Sequence, residues 1–120
     1  MQFRADLEAP AKARRACTAR TRHVVPDDVA DTACLLVSEL VTNTVRHGDC
    51  QPEDKLEVVI DREPEGLRVA VCQRTVIGAL EVAAYEEARE GGWGLMLVDK
   101  LADEWGVDED PNCVWFKLAA

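Results

Sequence analysis

A chain of 120 residues, 48% of them hydrophobic, is sized for a single domain spanning 1–120 around one buried core. Its 23 acidic and 14 basic residues leave a net charge of −9, which repels phosphate backbones and argues against nucleic-acid binding. No run approaches the ~18 consecutive apolar residues of a membrane span, and Met1 to Glu8 lacks the apolar stretch of a signal peptide, so the expectation is a cytoplasmic protein without membrane association.

The charge is uneven. Residues 1–23 carry Arg4, Lys12, Arg14, Arg15, Arg20 and Arg22 against Asp6 and Glu8, a net +4 that leaves −13 for the remainder. Such a basic segment suits an acidic protein surface, although a solvated helix face accounts for it equally well. Five cysteines, at 17, 34, 50, 72 and 113, are odd in number and widely spaced with no C-x-x-C pair, so they read as reduced thiols packed as small apolar residues. Of these only Cys17, beside three arginines, has the cationic surroundings a thiol enzyme needs.

In chain order, Gln2 to Leu7 alternates loosely as a short edge strand, and Pro10 suits the first turn of a helix running to about Arg22. Pro26 breaks the chain, and Asp27 or Asp28 is placed to cap a second helix. Val29, Ala33, Leu36, Val37, Leu40, Val41, Thr44 and Val45 recur there at helical spacing and define one buried stripe, which Gly48 ends. Leu56 to Asp61 and Leu67 to Gln73 alternate as two strands joined by the turn residues Glu63-Pro64-Glu65-Gly66. On the second of them Gln73 shares a face with Leu67, Val69 and Val71, and needs a polar partner among core residues.

Residues 74–90 have weak periodicity and read as a loop with one helical turn. Gly91-Gly92-Trp93-Gly94 opens a third helix through about Asp103, with Leu95, Val98, Leu101 and Ala102 on its apolar side, and Cys113 to Leu118 forms a closing strand.

Two features carry chemistry. Glu39 and Asn43 are four residues apart on the second helix, with Arg46 and His47 one turn later, so a carboxylate, a carboxamide and an imidazole line a polar strip beside the apolar stripe. Gly92 and Gly94 leave backbone N–H groups open at a helix N-terminus, where a phosphate binds well. Taken singly, a solvated helix face and a flexible turn explain them as readily.

Together they resemble a known family. The run Leu36-Val37-Ser38-Glu39-Leu40-Val41-Thr42-Asn43-Thr44-Val45-Arg46-His47-Gly48 closely matches the N box of GHKL ATPases, in the branch of anti-sigma-factor serine/threonine kinases. Gly92 to Val98, followed by Leu101 to Val107, is similar to that branch's second glycine box and the strand entry after it, and Val114-Trp115-Phe116 resembles its closing strand.

The resemblance implies a two-layer α/β sandwich, a mixed β-sheet packed on one face by about three helices, holding ATP and magnesium. It makes Asn43 the magnesium ligand and Glu39 the general base toward a substrate serine. It also places His47, Gln73, Gly92, Gly94, Leu95 and Cys113 at cofactor-binding positions, and implies a sigma factor or anti-anti-sigma protein as partner. Pairing of two copies through the N-terminal strand is compatible with it. Three features depart from the family: Gln73 stands where an Asp accepts the adenine amino group, the Gly or Pro usual soon after it is absent, with Arg74-Thr75-Val76-Ile77 preceding Gly78, and Cys113 stands where a Thr makes a second adenine contact. Two readings therefore stand, a Mg-ATP-dependent regulator of a partner protein, and a nucleotide-free binding module that keeps the fold. A two-component histidine kinase would need a phosphoacceptor domain that 120 residues leave no room for, and neither His23 nor His47 has such a context.

Overall fold

The computed structural model describes residues 1–47, 54–73, 93–108 and 113–120. Gly48, Cys50, the 74–90 loop and the Gly91-Gly92 pair lie outside the described residues.

Strand β1 is Gln2–Arg4, and helix α1 follows as Ala9–Thr21 with Pro10 in its first turn. One side of α1 is a stripe of small residues, Ala9, Ala13, Cys17 and Thr21, all fully buried. Their four-residue spacing puts them on a single face, and their size lets the helix approach its neighbour closely. That neighbour is α2, Asp27–His47, which offers Ala30, Ala33, Cys34 and Val37 in return. The first α2 hydrogen bond runs from Ala30 N–H to the Pro26 carbonyl, so Asp27 and Asp28 sit inside the first turn, where negative charge suits the helix dipole, rather than capping it.

Strands β2 (Lys55–Glu63) and β3 (Gly66–Gln73) form a hairpin in which Glu63 faces Gly66 across a two-residue turn. Gly66 has φ +154°, and a Cβ there would run into the Leu118 carbonyl oxygen, so no other residue fits. Helix α3 (Trp93–Leu101), β4 (Glu104–Asp108) and β5 (Cys113–Ala119) complete the chain. The sheet order is β1-β2-β3-β5-β4. Among the described residues every strand pairing is antiparallel, where a mixed sheet is expected.

Strand alternation then separates two faces. Leu56 and Val58 on β2, Leu67, Val69 and Val71 on β3, and Val114, Phe116 and Leu118 on β5 form one core with residues of α1, α2 and Val98 of α3. The helices thus cover one face, giving the α/β sandwich. The opposite face holds a small cluster of Ala70, Cys72 and Cys113, with Val59 and Trp115 packed against it. Gly106 lies under Trp115, where a Cβ would come within 2.8 Å of the indole, and Arg68 stacks 5.2 Å from the ring centroid.

Two expectations for the third helix change. It ends at Leu101, and that residue is 43% exposed because the chain turns directly into β4, leaving Val98 as the fully buried anchor with Leu97 and Ala102 partly buried. The Trp105 indole N–H donates to Asp99 Oδ1 at 2.8 Å, tying β4 back to α3. No helix among the described residues is long and apolar enough to cross a membrane.

Candidate nucleotide site

Helix α2 is the common wall of the site, because it packs against α3, β3 and β5 as well as α1. At about 100° per residue, Glu39 and Asn43 sit at the edge of its apolar stripe, and burial falls off in the order this geometry requires. Leu36 and Leu40 are fully buried, Asn43 is 7% exposed, Glu39 is half-buried and Arg46 is exposed. His47 is the last residue of the helix.

Asn43 is the unusual member. The hydroxyls on either side of it are satisfied within the helix, Thr42 Oγ1 donating to the Ser38 carbonyl at 2.7 Å and Thr44 Oγ1 to the Leu40 carbonyl at 2.9 Å. Among the described residues the Asn43 carboxamide has no such partner. A buried amide left unpaired costs about 1–3 kcal/mol, so a side chain held this way is suited to a ligand that supplies the missing contact. One turn earlier, the Glu39 carboxylate has no ion pair among the described residues.

The other predicted positions fall on elements that meet α2. Gln73 ends β3, is 4% exposed, and by alternation points to the helix side, with Leu56 opposite it on β2. Gly94 lies in the first turn of α3, whose leading N–H groups have no carbonyl within the helix to bond. Leu95 follows it in the same turn, and Gly92 lies outside the described residues.

Cys113 is corrected. Its side chain is on the face away from the helices and is bonded to Cys72 directly across the strands, so it does not project into the layer that holds Gln73 and Asn43. The same bond corrects the reading of all five cysteines as reduced thiols. Cys17 and Cys34 are the free cysteines among the described residues, both buried between α1 and α2. Burial, reinforced by the neighbouring Cys34, pushes the Cys17 thiol far above the usual range, so the arginines beside it in sequence do not activate it.

These residues can hold the group the motif implies. Magnesium takes few protein ligands and completes its shell with phosphate oxygens and water, so the Asn43 carboxamide oxygen would serve as one protein ligand beside the phosphates. No group of three or more His, Cys, Asp or Glu side chains among the described residues forms a protein-only metal centre. A cleft of about 180 Å³ lies at the far end of the sheet from Gln73, but Glu63, Glu65, Asp103 and Glu104 line it against the single cation Lys117, and that net negative charge repels a triphosphate.

The model of one family, described as the histidine kinase-like ATPase domain, matches residues 3–118. Among curated proteins, none matches the chain.

Proposed function

Because the chain belongs to the histidine kinase-like ATPase domain family, we propose that it binds Mg-ATP between α2, α3 and the helix-facing side of β3, and phosphorylates a serine or threonine of a partner protein in a partner-switching circuit. The observation that carries the reading is the buried Asn43 carboxamide, unpartnered among the described residues and one turn from the unpaired carboxylate of Glu39. When bound, ATP supplies the phosphoryl group and magnesium offsets its charge. The Asn43 oxygen would hold the cation. Glu39 accepts the proton of the substrate hydroxyl, a role that needs a carboxylate free of competing cations. The first-turn N–H groups around Gly94 would face the phosphates, and the N-box and glycine-box resemblance assigns His47, Leu95 and Gly92 to the same nucleotide. Gln73 receives the adenine amino group at its carboxamide oxygen.

The partner is a sigma factor or an anti-anti-sigma-type protein, and the reaction belongs to transcription control in the cytoplasm of a bacterium. Strand β1 stands at the edge of the sheet, where a second copy can pair, and light scattering at high micromolar concentration tests for that dimer.

One observation favours a second reading. Gln73 offers adenine a neutral acceptor and brings N–H donors that need their own partners, which suits a module that retains its fold and partner surface without nucleotide. Calorimetric titration with ATP and magnesium separates the two. Binding that Asn43→Ala abolishes supports the ATP-dependent regulator, whereas no heat up to millimolar ATP with a partner still co-purifying supports the module.

A further inference from the structure

Cys72 and Cys113 face each other as the last register pair of the β3–β5 ladder, with a Cα separation of 4.0 Å and a disulfide between them. Both are buried, at 7% and 5% exposure, beside Ala70 and with Trp115 packed against them. The bond therefore closes one end of the central strand pair. At the other end of that ladder Gly66 faces Ala119, adjoining the tight turn of the hairpin. Gln73 is the residue immediately after the bonded Cys72 and the last of β3. It shares its backbone with the cross-link while its side chain points to the opposite face, toward the helices.

We propose that the Cys72–Cys113 bond is a redox-sensitive clasp that governs the order of the sheet end carrying Gln73. The clasp is distinct from the remaining described thiols, since Cys17 and Cys34 lie in the α1–α2 interface and are unbonded. An external dithiol opens it. One reductant thiolate attacks a protein sulfur and forms a mixed disulfide, and the second reductant thiol then displaces the remaining protein sulfur. The reductant becomes a disulfide, and its two electrons and two protons are left on Cys72 and Cys113 as two thiols. Glu57 and Asp108 flank the pair in the same cross-strand row, so a neutral dithiol approaches it more readily than an anionic thiol.

Opening removes the covalent restraint between two strands 41 residues apart in sequence and leaves ladder hydrogen bonds and the small Ala70–Trp115 cluster to hold the last rungs. These rungs then fray, as strand ends with few remaining restraints do. Resting on the nucleotide reading above, the consequence for ligand binding is a weaker hold on adenine in the reduced protein, because Gln73 must be reordered when ATP binds.

The test treats the full chain with dithiothreitol at graded concentrations. Native alkylation with mass spectrometry follows the thiols, hydrogen exchange follows residues 71–73 and 113–115, and calorimetry follows Mg-ATP. The expected result is no alkylation of Cys72 or Cys113 before reduction, at least tenfold faster exchange at those amides after it with the α1–α2 amides unchanged, and about tenfold weaker ATP binding. The double variant Cys72→Ser/Cys113→Ser reproduces the reduced exchange pattern and is insensitive to dithiothreitol. Identical exchange in both redox states, or alkylation of Cys72 and Cys113 before reduction, overturns the proposal. Responsive exchange with no ATP binding in either state upholds the clasp and refutes the nucleotide reading alone.

Discussion

Replacing Asn43 by leucine separates a residue kept for a ligand from one kept for the fold. Asn43 is buried, at 7% exposure, and its carboxamide has no hydrogen-bond partner among the described residues, so its desolvation costs about 1–3 kcal/mol without return. Leucine is close in size, extends the stripe of Leu36 and Leu40, and gains about 1.5–3 kcal/mol from burial relative to exposure. Part of that gain is lost to imperfect fit beside Thr44, which leaves a net stabilisation of roughly 1–3 kcal/mol. At ~4 °C per kcal/mol for a domain of this length, the melting temperature without nucleotide rises by about 4–12 °C. Circular dichroism melts of the wild type and Asn43→Leu, with no nucleotide present, measure the shift. A variant less stable than wild type by more than about 1 kcal/mol means that the carboxamide is bonded within the fold, and refutes the assignment of its polarity to a ligand.

Other outcomes follow from the same geometry. Gln73→Asp supplies a charged acceptor where the carboxamide now stands and strengthens ATP binding by about tenfold to a hundredfold, read by calorimetry. Glu39→Gln leaves ATP affinity within a factor of about three while phosphoryl transfer to the partner falls by ~10²–10⁴, measured with labelled ATP. Gly66→Ala drives a Cβ into the Leu118 carbonyl and costs about 2–4 kcal/mol in a urea unfolding series. Because burial raises the Cys17 thiol pKa in the folded chain, its contribution is fully present below the ordinary thiol value of about 9 and is lost as the pH rises above it. Between pH 9 and 11 the wild type therefore loses up to ~1.4 kcal/mol per pH unit more than Cys17→Ala does, and equal slopes in urea unfolding at those pH values would remove the argument.

What could be read from the sequence is what local pattern encodes. The stripe from Val29 to Val45 marks α2 because a long helix repeats its period many times, and the Glu-Pro-Glu-Gly turn fixes the β2–β3 hairpin because its residues dictate the backbone. Alternation alone places Gln73 on the core face, and it is buried there. Strand direction was not legible, since a period of two is the same in parallel and antiparallel sheets, and the antiparallel order depends on how β5 enters between β3 and β4. The disulfide escaped for the same reason. Cys72 and Cys113 each sit on a strand whose pattern is readable, but the register that sets them face to face exists only once β5 pairs with β3. For the site, spacing showed a polar strip at Glu39 and Asn43, whereas the burial of one and the partial exposure of the other depend on the packing of α2 against the sheet.

The most direct measurement is the ¹⁵N–¹H signal of the Asn43 side-chain amide during titration with nucleotide. Addition of Mg-ATP should shift that pair of signals strongly, with a much smaller change for ATP in excess chelator or for magnesium alone. An amide that stays in place up to millimolar Mg-ATP would contradict magnesium coordination by Asn43, and with it the nucleotide site built on α2.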